Sequence, residues 1–259
     1  MKRFLLAGVV ALGFAVPAAA ADLPVASPIP APFVVPPIFS WTGCYVGVEG
    51  GGNWGRSEQV ARAGTFAGST ITGGFDLSGG IAGGTVGCNY QLGSSFVIGI
   101  ENDISWTDKK GSAVDQAPFN TAATSSTREK WIDTLRGRLG MNFDRVLLYG
   151  TGGAAFAGTD VVVSNPAFGS VSDSRSRTGW VAGVGGEWAA WTGPWGALTF
   201  KLEYLHADFG GQLYINPSVV TVAGTTVVTR DVRLTDDMVR VGMNLKFNWG
   251  WQSPVVAKY

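Results

Sequence analysis

Ten charged residues of this 259-residue chain recur at odd-or-even spacing inside otherwise apolar stretches. Five are acids, Glu49, Glu101, Asp103, Glu187 and Glu203, and five are bases, Arg136, Arg138, Lys201, Arg240 and Lys246. Balanced signs on one face of extended segments point to ion pairing rather than to bond making. Proton transfer to a nucleophile needs a base within hydrogen-bond reach. His206 is the only histidine, and no serine stands two residues away from it on either side. It shares a face with Tyr204, which predicts a structural histidine near an apolar boundary; a cross-strand partner stays open. Gly150-Thr151-Gly152-Gly153-Ala154-Ala155 has the formal spacing of a dinucleotide-binding turn, but such a site also needs a following helix. Here Gly158-Thr159-Asp160-Val161-Val162-Val163 continues as strand, so the glycines are expected to relieve crowding. Cys44 and Cys88 without a histidine beside them are a poor zinc site. No catalytic residue, metal or cofactor is expected.

The elements that would hold the charges have period two. Strands are predicted near 42–56, 75–91, 95–107, 128–143, 146–162, 175–190, 196–208 and 232–248. Phe96, Ile98, Ile100, Ile104 and Trp106 share one face, with Glu101 and Asp103 on the other. Leu135, Leu139, Met141 and Phe143 oppose Arg136 and Arg138. Trp180, Ala182, Val184 and Trp188 oppose Glu187, while Leu198, Phe200, Leu202 and Tyr204 oppose Lys201 and Glu203. Val239, Val241, Met243, Leu245 and Phe247 oppose Arg240 and Lys246, and Val46 and Val48 oppose Glu49. Short connections fall at 92–94, 144–145 and 192–194. Long ones fall at 57–74, 108–127, 163–174 and 209–231.

Alternation alone fits either a soluble barrel with polar outside or a membrane barrel with the apolar face in lipid. Other features favour the second. Met1-Lys2-Arg3, the apolar run Phe4 to Val16 and Ala18-Ala19-Ala20 have the layout of a cleaved signal peptide over 1–20. The rival membrane anchor is too short to span, with only about 13 strongly apolar residues where roughly 20 are needed. Six prolines between Pro24 and Pro37 make 21–40 an extended periplasmic linker. Nothing later resembles a transmembrane helix, which leaves a closed barrel over 41–248 as the spanning form. Trp54, Trp106, Trp131 and Trp180 fall toward one rim, and Tyr45, Tyr90, Phe143, Trp195 and Phe247 toward the other, as aromatic belts do. Lysine plus arginine equals aspartate plus glutamate at 19 each, so no basic surplus exists to attract nucleic acid. In an up-and-down hairpin Cys44 and Cys88 meet at the periplasmic rim in the same phase. A disulfide there and two separate lipid-facing thiols are the two readings.

Trp41-Thr42-Gly43-Cys44-Tyr45-Val46-Gly47, Gly79-Gly80-Ile81-Ala82-Gly83-Gly84 and Leu148-Tyr149-Gly150-Thr151-Gly152-Gly153-Ala154 carry a family likeness. Ala21-Asp22-Leu23-Pro24 and Val239-Arg240-Val241-Gly242-Met243-Asn244-Leu245-Lys246-Phe247 add to it. Together, in this order, they resemble the small outer-membrane surface-antigen β-barrels of alphaproteobacteria, related to the OmpA transmembrane domain and porin-like in build. The resemblance implies an all-β, eight-stranded antiparallel up-and-down barrel in the outer membrane of a Gram-negative bacterium, in contact with its lipid and lipopolysaccharide. It also implies insertion by the barrel assembly machinery, which reads a final strand ending in an aromatic residue. Phe247 fits that signal; the tail 249–259 runs past it to Tyr259, but Pro254 argues against a strand there.

The expected role is that of a structural surface antigen with four long outer loops and a largely plugged interior, because eight strands leave only enough room for side chains. A narrow diffusion channel for small solutes is the alternative. A lipid-modifying enzyme using His206 is a third, weaker reading. No small-molecule ligand is implied.

Overall fold

Period-two alternation becomes nine antiparallel strands in a computed structural model that describes residues 39–63, 66–167, 169–193, 195–221 and 224–247, with no account of side chains at 215–228. The expected signal peptide, nearly all of the proline-rich linker and the tail 249–259 lie outside the described residues. The strands are β1 (Gly43–Ala61), β2 (Thr70–Leu92), β3 (Phe96–Thr107), β4 (Lys110–Val114), β5 (Thr124–Phe143), β6 (Val146–Asn165), β7 (Gly169–Gly193), β8 (Gly196–Thr221) and β9 (Gly224–Phe247). β4 resumes β3 after a break at Asp108-Lys109, and both pair with β5. Nine strands therefore occupy eight positions. β1 pairs with β2 on one side and β9 on the other, which closes the ring. Closure leaves no open edge, the condition for strands to cross a bilayer.

The distribution of side chains is inverted relative to a protein in water. Ile100 is 55% exposed, Leu139 62% and Val241 60%, whereas Glu101 and Arg240 on the alternate face are fully buried. All ten charges named from the sequence point into the lumen and are buried there. A contiguous apolar surface of this kind is a membrane-facing surface. It rejects the soluble alternative, in which the apolar face would be the core. The register is unforgiving, since a one-residue slip would turn Arg136 and Arg138 into lipid at about 2–4 kcal/mol each near the midplane.

Two expectations need correction. The segments read as long outer loops are largely strand: β1 runs on to Ala61, β2 begins at Thr70, and β8 and β9 extend to Thr221 and Gly224. Pairing continues because the inward positions there still carry side chains that fill the lumen, such as Ser57, Gln59, Tyr214 and Arg230. Tyr45, assigned to the periplasmic aromatic rim, points into the lumen and is buried, in phase with Glu49. Tyr90, Phe143, Trp195 and Phe247 remain exposed at that end, and Trp54, Trp106 and Trp180 at the other. The tight turn between β5 and β6 is carried by Asp144 at φ 54°, a left-handed conformation that a short polar side chain tolerates.

Candidate functional site: the luminal charge network

Each inward charge is set by strand parity, and ring closure decides whom it meets. Arg136 on β5 donates to Glu101 and Asp103 on neighbouring β3, the latter at 2.7 Å, and reaches Glu203 on β8 at 2.8 Å. Arg240 on β9 bonds Glu49 on β1, Asp103 on β3 and Glu203 on β8. Arg138 bonds Glu101 at 3.1 Å and Glu187 at 2.8 Å. Lys201 on β8 lies 3.0 Å from Glu49 and 3.3 Å from Glu101 on β3. In the ring β3 and β8 are four places apart in either direction, so this last contact crosses the lumen from wall to wall. Tyr45 donates its hydroxyl to Glu101 at 2.6 Å, Tyr149 donates to Glu203 at 3.1 Å, and the Arg138 guanidinium lies 3.9 Å from the Tyr149 ring centroid.

Lys246 departs from the balanced set. Its ammonium donates to the carbonyl of Ser40 and faces the Phe39 ring at 5.1 Å, and it makes no salt bridge among the described residues. The central network thus holds four bases and five acids. Toward the periplasm it is covered by a cluster of Phe39, Trp41, Val97, Leu147, Tyr149 and Ala189, in which Trp41 is fully buried.

Toward the outside the lumen stays filled. An apolar cluster including Leu77, Ile81, Ile132, Leu205, Leu234 and Met238 surrounds a second ionic group missed by sequence reading. There Lys109 bonds Asp236 and lies 3.2 Å from Glu129. Glu129 also accepts from Asn53 at 3.1 Å. Farther out, Arg230 on β9 donates to Asp115 at 3.1 Å and to Ser125 on β5 at 2.6 Å; β5 and β9 are again opposite one another. A parity signal existed for some of the buried outer charges. Asp236 and Arg230 are in phase with Arg240, and Arg177 is in phase with Glu187. Glu129 was hidden, because a bulge between Glu129 and Trp131 reverses the parity that Arg136 sets.

His206 lies on the outer face, half-buried, with Nδ1 2.9 Å from Asp237 and its ring 5.6 Å from that of Trp180. Tyr204 donates to the same carboxylate at 2.6 Å. The site has a histidine and an acid but no serine in hydrogen-bond contact with His206 among the described residues. Cys44 and Cys88 face each other in register across β1 and β2 and are joined as a disulfide.

Residues 7–247 match the family of outer membrane protein beta-barrel domains. The 31 kDa outer-membrane immunogenic protein of Brucella melitensis is 32% identical over 256 residues, covering 95% of this chain and 100% of that one. The 25 kDa outer-membrane immunogenic protein of Brucella abortus is 30% identical over 250 residues, covering 95% and 99%. Among solved structures, the outer membrane protein OprG from Pseudomonas aeruginosa overlaps 80% of this chain and 97% of its own at 12% identity and a TM-score of 0.40. With inverted faces, a closed ring and a match over nearly its full length, the chain belongs to the outer-membrane β-barrel family.

Proposed function

We propose that this protein is a non-catalytic, structural outer-membrane barrel with a plugged interior, presenting a β-structured extension at the cell surface. The Lys201–Glu101 contact between opposite walls is the observation that carries the reading. A lumen that a single lysine–glutamate pair can bridge has little width left for solute. The apolar cluster outside it and Trp41 on the periplasmic side act in the same sense. The relatives' designation as immunogenic supports surface display. Removal of residues 1–20 on export, insertion by the barrel assembly machinery through Phe247, and contact with outer-membrane lipid and lipopolysaccharide complete the proposal. Phe247 suits its part, being the exposed aromatic residue that ends β9.

Planar-bilayer recording on the refolded barrel tests the plug. The expected trace is flat under conditions in which porins conduct. Discrete, reproducible conductance steps would replace this reading with that of a narrow diffusion channel.

A further inference from the structure

We infer that Lys110 and Arg128, with Lys130 beside them, form a binding site on the outer wall of the barrel for the phosphate headgroup of a membrane lipid. The inference rests on the lipid contact proposed above and gives that contact a location. On β3 and β5 the outward face is mainly apolar up to the register pair Trp106 and Trp131, with Ile98, Ile100, Ile104, Leu135 and Leu139 below them, broken by Asn102 and Asp133, which bond each other at 2.7 Å. Above that pair the same faces carry Lys110, Ser112, Ser126, Arg128 and Lys130. Indole rings gather at the lipid–water boundary, so the bases just beyond them stand at headgroup height.

Lys110 on β4 is the register partner of Arg128 on β5, and both are exposed. Like charges placed directly opposite on an antiparallel pair repel. The other outward bases at this level face acids: Arg56 is opposite Asp76, and Arg233 is opposite Glu58. Asp160 is the register partner of Arg128 on its other side, but its carboxylate is taken by Lys130 at 2.5 Å. The Asp108 carboxylate turns the other way, accepting from the backbone of Gly80 on β2 at 2.7 Å. Among the described residues Asp160 is thus the one carboxylate in ion-pair contact with these three cations, and Lys110 and Arg128 have none within salt-bridge distance. A phosphate oxygen set between Lys110 and Arg128 turns their repulsion into two charge-assisted hydrogen bonds. Trp131 lies against β6, where its indole nitrogen occupies the space that a side chain on Gly158 would need. That seats the ring against the wall, where an acyl chain attached to the same phosphate would pack on it.

The test uses the mature chain refolded in neutral detergent, titrated with a short-chain phosphatidic acid and with phosphatidylcholine of the same chains, and read by tryptophan fluorescence. The wild type should prefer phosphatidic acid. Lys110→Gln with Arg128→Gln should lower that affinity about 25-fold, at about 1 kcal/mol for each base removed. Arg56→Gln with Arg233→Gln removes the same charge at the same height from bases that already face acids, and should leave the affinity within about twofold. Heat-modifiable migration of each variant on a denaturing gel verifies the barrel, so a failure of this site is distinct from a failure of the fold. Equal affinities for the wild type and the Lys110/Arg128 variant, or an equal loss in both variants, overturns the site. Inorganic phosphate binding as tightly as the lipid overturns the assignment to a lipid.

Discussion

The indole nitrogen of Trp41 donates to the backbone carbonyl of Asp144, 103 residues later, at 3.1 Å. One partner precedes the first strand and the other sits in the turn between β5 and β6. The bond ties the start of the barrel across its periplasmic mouth to a distant hairpin. The Trp41 backbone nitrogen donates to Gln91 at 2.8 Å, and Lys246 holds the preceding carbonyl. The segment thus acts as a cover fastened at three places.

Trp41→Ala should therefore cost more than a change in an unstructured lead-in segment. The ring is fully buried, and deleting a buried tryptophan side chain costs about 3–5 kcal/mol. The urea midpoint of the refolded barrel should fall accordingly. An unchanged midpoint would mean that the cover is not held in the folded protein.

Arginines of the same burial should differ in their worth. Arg136→Met leaves Glu101, Asp103 and Glu203 short of a partner, and breaking a buried ionic set from one side costs about 3–5 kcal/mol. Arg177 is just as buried, but it bonds the Tyr214 hydroxyl and the Val232 carbonyl and makes no salt bridge among the described residues. Arg177→Met should change stability by about 1 kcal/mol or less. Equal losses for the two variants in the same denaturant series would show that charge pairing does not govern the lumen.

Stability should also fall as pH rises from acid to mildly alkaline. Glu129 lies beyond Trp131 at the height of Arg128 and Lys130, outside the hydrocarbon layer that the apolar belt marks. Burial, with the Asp236 charge next, pushes its carboxyl up to about 8 despite Lys109. A raised acid holds its proton in the folded state, so its contribution is complete below about 4.5 and is lost through about 8. Glu129→Gln keeps the neutral form at every pH and should flatten that slope. Parallel wild-type and variant curves of midpoint against pH would remove Glu129 as the cause.

The Cys44–Cys88 bond joins β1 to β2 near the periplasmic rim, across 44 residues. The protein should offer no thiol to alkylation when unfolded without reductant. Replacing both cysteines by serine should lower stability by about 2–4 kcal/mol, the usual range for such a cross-link. Two alkylatable thiols in unreduced protein would contradict the bond.

Much of the barrel was legible residue by residue. The parity of Glu101 and Asp103 against Ile100 and Ile104 holds in the structure, because a strand's side chains alternate by geometry whatever surrounds it. Tyr45 could have been placed by the same rule, since it is in phase with Glu49; grouping it with rim aromatics by height overlooked its face. The outer strand extensions were obscured by serine, threonine and glycine. These read as loop when taken alone, yet they pair readily once a neighbouring strand is present.

Alternation in the chain itself determined which side chains share a face, and the tight turn at Asp144-Arg145 set neighbouring strands in antiparallel order. Tertiary structure decided that the charged face is the inside, and which charges meet. Lys201 finds Glu101 only because the sheet closes and brings its fourth neighbour in either direction to the opposite wall. Strand order and curvature set that distance, and no spacing along a single strand contains it.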